Sequence, residues 1–108
     1  MLGTKLIVVL GHSECGAIKG AIDDVKLGNV TALLANIRPA VLKVAAGEGD
    51  HTSKNKKFVQ SVADQNARDA ASLLTARSEV LAAQVMGHQL KIVSAMHDVS
   101  TGAIRWLA

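Results

Sequence analysis

The chain has one cysteine, one proline, no tyrosine and two aromatic residues, Phe58 and Trp106, among 108 positions. A lone cysteine, Cys15, excludes an internal disulfide and fits a reducing compartment. No apolar run approaches the roughly 20 residues that cross a bilayer, and no charged-then-apolar pattern of a secretory signal opens the chain. The expectation is a cytoplasmic protein without a membrane partner. Strong charge of one sign is also missing: the formal net charge is +3. The one basic cluster, Lys54, Lys56 and Lys57 beside His51, has no aromatic platform or arginine-rich run with it, so it reads as a solvated face rather than a nucleic-acid site. With so few aromatics, Ala, Val and Leu must fill the core, which suits helices packed on a parallel sheet. The length allows one domain.

What the sequence does have is concentrated in Leu6-Ile7-Val8-Val9-Leu10-Gly11-His12-Ser13-Glu14-Cys15-Gly16. Five consecutive apolar residues suit a strand buried on both faces, and Gly11 is expected to end it. A helix-compatible segment starts at Gly16. In open α/β sheets, ligands gather past the carboxyl end of a strand, where the next helix begins. His12 and Cys15 stand there, three residues apart. Imidazole and thiolate are good zinc ligands, and a helix N-terminus favours thiolate over thiol. The same spacing also allows a plainer arrangement, with Cys15 a small buried side chain and His12 a hydrogen-bonded turn residue.

The remaining elements follow in order. Residues 4–10 form a strand and 15–23 a short helix. Asn29 or Thr31 can cap a second helix whose apolar positions are Leu33, Leu34 and Ile37. Pro39 forces a kink or a fresh start, after which Val41, Leu42 and Val44 resume the apolar face. Residues 47–50 form a loop that the polar residues extend to Lys57. Ser53 or Asn55 starts the longest helix, which reaches about Ala76 and buries Phe58, Val59, Val62, Ala70, Leu73 and Leu74. Ser78 caps a further helix that Gly87 stops. Residues 90–96 form the second strand, parallel to the first through a right-handed helical crossover. Thr101-Gly102 turns the chain, and 103–107 return as an antiparallel edge strand. His51 and His88 read as surface residues.

Gly11-His12-Ser13-Glu14-Cys15-Gly16 after Ile7-Val8-Val9 resembles the second zinc-ligand segment of the β-class carbonic anhydrases. Asn36-Ile37-Arg38-Pro39-Ala40 looks like the family's Ile-Arg-Pro turn. Ala76-Arg77-Ser78-Glu79-Val80-Leu81, Leu90-Lys91-Ile92-Val93 and Asp98-Val99-Ser100-Thr101-Gly102-Ala103-Ile104-Arg105-Trp106-Leu107 look like its C-terminal helix, strand and hairpin, in family order. The resemblance implies an α/β fold: a partial parallel sheet flanked by helices, with a C-terminal antiparallel hairpin strand. It implies zinc as cofactor, His12 and Cys15 as metal ligands, and the reversible hydration of carbon dioxide to bicarbonate.

The family also carries an earlier Cys-x-Asp-x-Arg segment, which supplies another zinc ligand and an Asp-Arg dyad beside the metal. No such segment occurs in these 108 residues. Residues 1–108 are therefore expected to form a single truncated domain, the C-terminal half to two-thirds of the family fold. It should be weak or inactive alone, with its catalytic residues unassigned. A third ligand is open among a second chain, His97 or Asp98, and an exogenous molecule; the resemblance places His97 and Asp98 at the hairpin start. The exposed edge left by the first strand points to a homo-oligomer, dimer or higher, or to pairing with an N-terminal piece. Two other readings stand beside this one. In one, the chain is a non-catalytic remnant serving in assembly or regulation. Alternatively, Ser13 would be a nucleophile in a Gly-x-Ser-x-Gly elbow, against which Cys15 at the last glycine position counts.

Overall fold

The computed structural model describes residues 5–45 and 50–107. Gly47, Glu48 and Gly49 of the expected loop lie outside them. The elements are β1 (Lys5–His12), α1 (Gly16–Ile22), α2 (Gly28–Ala35), α3 (Arg38–Val44), α4 (Lys56–Arg77), α5 (Glu79–Met86), β2 (Leu90–His97) and β3 (Ile104–Trp106). They form an α/β unit around a sheet of order β1-β2-β3. β1 and β2 pair in parallel from Lys5↔Leu90 to His12↔His97, with the helices as their crossover. β3 returns antiparallel on β2, from Ala95↔Trp106 to His97↔Ile104.

β1 runs two residues further than expected. Gly11 does not end it. It is a point of close approach, where an added Cβ would come within 2.8 Å of Met96 Cε and 3.7 Å of Ala67 Cβ. The expectation of burial on both faces also fails. Alternation puts Ile7 and Val9 on the α4 side, half-buried, while Leu6, Val8 and Leu10 remain 57%, 41% and 54% exposed. α4 covers one face of the sheet, and among the described residues nothing comparable covers β1 on the other.

α4 is the central packing element. Asn55, not Ser53, caps it by accepting from the Phe58 N–H at 3.3 Å. Ser53 instead donates from its backbone N–H and its hydroxyl to the Asp23 carboxylate, which holds that carboxyl below the usual carboxylate range. The buried side of α4 is Phe58, Val59, Val62, Ala63 and Ala67. Ala70 and Leu74 are half-buried and Leu73 is exposed, contrary to the expected stripe. Small alanines where the helix crosses the sheet allow close contact, and a pattern read from large apolar residues overlooks them.

α1 and α3 pack on α4 and α2 packs on α1 and α3, and with Ile37 they add Ile18, Ala21, Ile22, Leu34, Ala40 and Val41 to the same core. Gly28 takes a left-handed φ of +50°, so α2 begins there and neither Asn29 nor Thr31 caps it. The Thr31 hydroxyl accepts instead from the Leu27 N–H at 2.8 Å. Leu33 and Leu42 were expected on the apolar face but are exposed. Pro39 sits in the first turn of α3, the fresh start its ring imposes. Arg38 beside it donates to the Ala21 carbonyl at 3.0 Å and fastens α3 to the end of α1. Ser78 caps α5 by accepting from Leu81 N–H at 3.2 Å. No helix among the described residues is long and apolar enough to cross a membrane.

The β2–β3 turn is built around Asp98. Its carbonyl accepts from Gly102 N–H at 2.7 Å, and Gly102 supplies the left-handed φ of +79°. Its carboxylate accepts from the Ser100 hydroxyl at 2.6 Å and the Ser100 N–H at 2.9 Å. These bonds favour the anion and hold the Asp98 carboxyl below its ordinary range.

Two outcomes follow. Val62 is fully buried at 0% exposure, so Val62→Ala should lower unfolding free energy by about 2 kcal/mol in urea. Leu42→Ala, at a position 63% exposed, should stay within about 0.5 kcal/mol. Equal losses at the two sites would contradict the core described here. For Asp98, the depressed folded value means its contribution is complete above the unfolded value and disappears as pH falls through the folded one. In an NMR titration the Ser100 amide should therefore change only below the ordinary aspartate range, and Asp98→Asn should flatten the response.

Candidate metal centre

The parallel pairing of β1 and β2 brings His12 and His97 side by side at the carboxyl end of the sheet. Strand alternation puts His12 on the same face as Leu6, Val8 and Leu10. Its Nδ1 lies 2.8 Å from the Ser13 carbonyl oxygen. A carbonyl only accepts, so this contact requires the proton on Nδ1 and leaves the Nε2 lone pair available to a metal.

The chain reverses immediately. Ser13 N–H donates to the His97 carbonyl at 2.9 Å, which extends the β1–β2 connection one step beyond the strand. Glu14 then takes a left-handed φ of 56°, uncommon for a residue other than glycine. Its carboxylate receives Lys19 Nζ at 2.7 Å, and that hydrogen bond and charge hold the Glu14 carboxyl below its usual range. Cys15 follows as the residue before α1, with extended backbone angles and no side-chain capping bond. Its thiol is half-buried and free of any disulfide.

One turn therefore carries both expected donors, His12 from the strand and Cys15 from the helix start. The donors suit zinc in kind: an imidazole with a free nitrogen, and a thiol not engaged in capping. They fall short in number. Among the described residues no three His, Cys, Asp or Glu side chains gather in a way that could hold a metal. Of the open sources of a third ligand, Asp98 is committed to the hairpin turn by its bonds to Ser100. His97 stands next to His12 in register but does not complete a three-donor group.

The other expectations resolve differently. His88 is exposed after α5, with a left-handed φ of 58°. His51, expected at the surface, is half-buried and stacks on Phe58 with ring centroids 4.9 Å apart. Beside the turn lies an open cavity of about 320 Å³, lined by Ser13, Gln60, Met96, Asp98, Ala103 and Arg105. Arg105 Nη2 reaches both carboxylate oxygens of Asp64 on α4, at 2.9 and 3.1 Å. That pair binds the hairpin to the long helix. The two residues stand 41 apart in sequence, and the packing of α4 on the sheet together with the β2–β3 register brings them together.

Comparison with known proteins gives the ancestry. The carbonic anhydrase family model matches residues 1–104. Carbonic anhydrase 2 of Mycobacterium tuberculosis is 32% identical over 107 residues, covering 94% of this chain and 48% of that protein. The chain thus spans about half the length of the curated relatives it matches. Among solved structures, one of two tetrameric β-carbonic anhydrases from Sordaria macrospora superimposes with a TM-score of 0.78 at 22% identity, over 96% of this chain and 52% of that one. The β-carbonic anhydrase CafA of Aspergillus fumigatus gives 0.76 at 23% identity, over 96% and 50%. At that identity the structures speak for the fold, and the family match speaks for descent: the chain belongs to the β-class carbonic anhydrases.

Proposed function

We propose that this chain provides two protein ligands of a zinc centre, His12 through Nε2 and Cys15 through its thiolate. In the assembled protein that centre would serve the reversible hydration of carbon dioxide to bicarbonate. The observation that carries the reading is the His12–Cys15 turn at the carboxyl end of the β1–β2 pair, with Nδ1 of His12 occupied by the Ser13 carbonyl. Zinc, when bound, supplies the Lewis acidity that makes water a nucleophile near neutral pH. The chain's own residues do the rest of the positioning. The Ser13 carbonyl fixes the His12 tautomer, Cys15 presents its sulfur where α1 begins, and Lys19 engages the Glu14 carboxylate.

The third and fourth ligands come from outside the described residues under this reading, and the 108-residue chain alone is a weak catalyst or none. Neither a second cysteine nor a Cys-x-Asp-x-Arg segment is among its residues. Assembly is therefore part of the proposal. Leu6, Leu10 and Trp106 are more than half exposed, and β1 forms an edge of the sheet, a combination that favours association with further copies. The Sordaria macrospora structures are tetrameric. A reducing cytoplasmic setting would keep Cys15 out of disulfides and available as a ligand. The exposed apolar face also supports a second reading, in which the chain is an assembly or regulatory module without catalysis.

Metal analysis separates the two. The purified chain should take up zinc, and His12→Ala and Cys15→Ala should each lose it; a zinc-free protein under zinc loading would favour the module. Carbon dioxide hydration should be well below that of a full-length β-class enzyme, and comparable turnover would overturn the proposal of weak activity. Sedimentation should show a dimer or larger species, against which a stable monomer would count.

A further inference from the structure

Ser13 is fastened at two points to a segment more than 80 residues away in sequence. Its N–H donates to the His97 carbonyl, and its Oγ accepts from the Val99 N–H, both at 2.9 Å. The first bond continues the strand ladder and is available to any residue. The second is specific to a hydroxyl. It joins the turn carrying His12 and Cys15 to the β2–β3 turn, which Asp98, Ser100 and Gly102 independently stiffen.

The next residue explains why such a fastening matters. Glu14 has a left-handed φ of 56°, and a non-glycine residue in that region costs on the order of 1 kcal/mol or more. Such a backbone persists only where its surroundings hold it. On one side the holding group is Lys19, through the Glu14 carboxylate; on the other it is Ser13, through Val99. Glu14 is one of only two residues between His12 and Cys15. If it relaxes to a right-handed φ, the separation and relative direction of the two donors change.

We infer that Ser13 is a positioning residue for the metal centre: its hydroxyl transmits the rigidity of the β2–β3 turn to the His12–Cys15 pair through Val99 N–H. This inference rests on the metal reading above. It assigns Ser13 no contact with metal or substrate, and so differs from the nucleophile role considered from its sequence context.

The test is a competition titration of zinc against a chromophoric chelator, using the whole chain, Ser13→Ala and Ser13→Thr. Absorption spectra of the cobalt(II)-loaded forms and circular dichroism accompany it. Ser13→Ala should keep the wild-type circular dichroism, bind zinc about tenfold more weakly and shift the cobalt bands, as expected when a group orienting a ligand is removed. Ser13→Thr, which retains the oxygen, should restore affinity and spectrum. Equal zinc affinity and identical cobalt spectra in wild type and Ser13→Ala would overturn the inference and leave the metal reading intact. A loss that threonine does not recover, or unfolding of Ser13→Ala, would assign the residue to the fold and also overturn it. A wild-type chain that binds no zinc at all would remove the metal reading, and this inference with it.

Discussion

The parallel pairing of β1 and β2 is the constraint on which the remaining structure depends. Parallel neighbours cannot be joined by a tight turn, so the chain must cross over the sheet between them. Here that crossover contains the five helices of the described residues, from Gly16 to Met86. The register fixes which residues finish together, and His12 and His97 are its last pair. Everything with chemical potential follows within a few residues of that point: Ser13, Glu14 and Cys15 after one strand, Asp98 after the other. A slip of one residue would turn His12 toward α4 and place Gly11, which has no side chain, on the opposite face. The contact of Met96 and Ala67 around Gly11 resists that slip, because only a residue without a Cβ fits there undisturbed.

Coverage of the sheet is asymmetric, and the asymmetry is energetic as well as geometric. On one side α4 brings Phe58, Val59, Val62, Ala63 and Ala67 into the main core with Met96. On the other, Leu6, Val8, Leu10, Ile104 and Trp106 remain at least 41% exposed. These five share the strand-alternation face of His12, so the apolar area reaches the His12–Cys15 turn. Apolar surface left in water forgoes roughly 25 cal/mol for each Å² that could be buried, a driving force for covering this face. A second molecule covering this face would lie against the His12 side of the turn.

Much of this was legible in the sequence because local rules and tertiary needs agree. Residues 4–10 and 90–96 read as strands, Ser78 as a cap with Ser53 or Asn55 as another, and Pro39 as a kink or a fresh start. The location of His12 and Cys15 was legible too, since a strand ending in a turn before a helix determines it. Other features depend on what packs against what. A continuous apolar run does not reveal that one face of β1 will go uncovered. Leu73 looks more apolar than Ala63 or Ala67, yet the close crossing of helix and sheet favours alanine. Gly28 could have been a stop as readily as the start it became. The Ser13–Val99 and Arg105–Asp64 contacts join residues distant in sequence, and no periodicity encodes them.

The strained position of Glu14 bears on how the turn should be understood. A turn needed only to connect β1 to α1 would be more stable with glycine or asparagine in the left-handed position. Glutamate is harder to place there, but it brings a carboxylate that Lys19 pairs at 2.7 Å. The cost in backbone energy is thus coupled to a defined charge arrangement beside His12 and Cys15. The opposite side of the same turn is held by a serine hydroxyl on a rigid hairpin. Strain held in place from two sides fits a segment whose geometry must be kept, and the groups whose relative placement it keeps are an imidazole with one free nitrogen and an uncapped thiol.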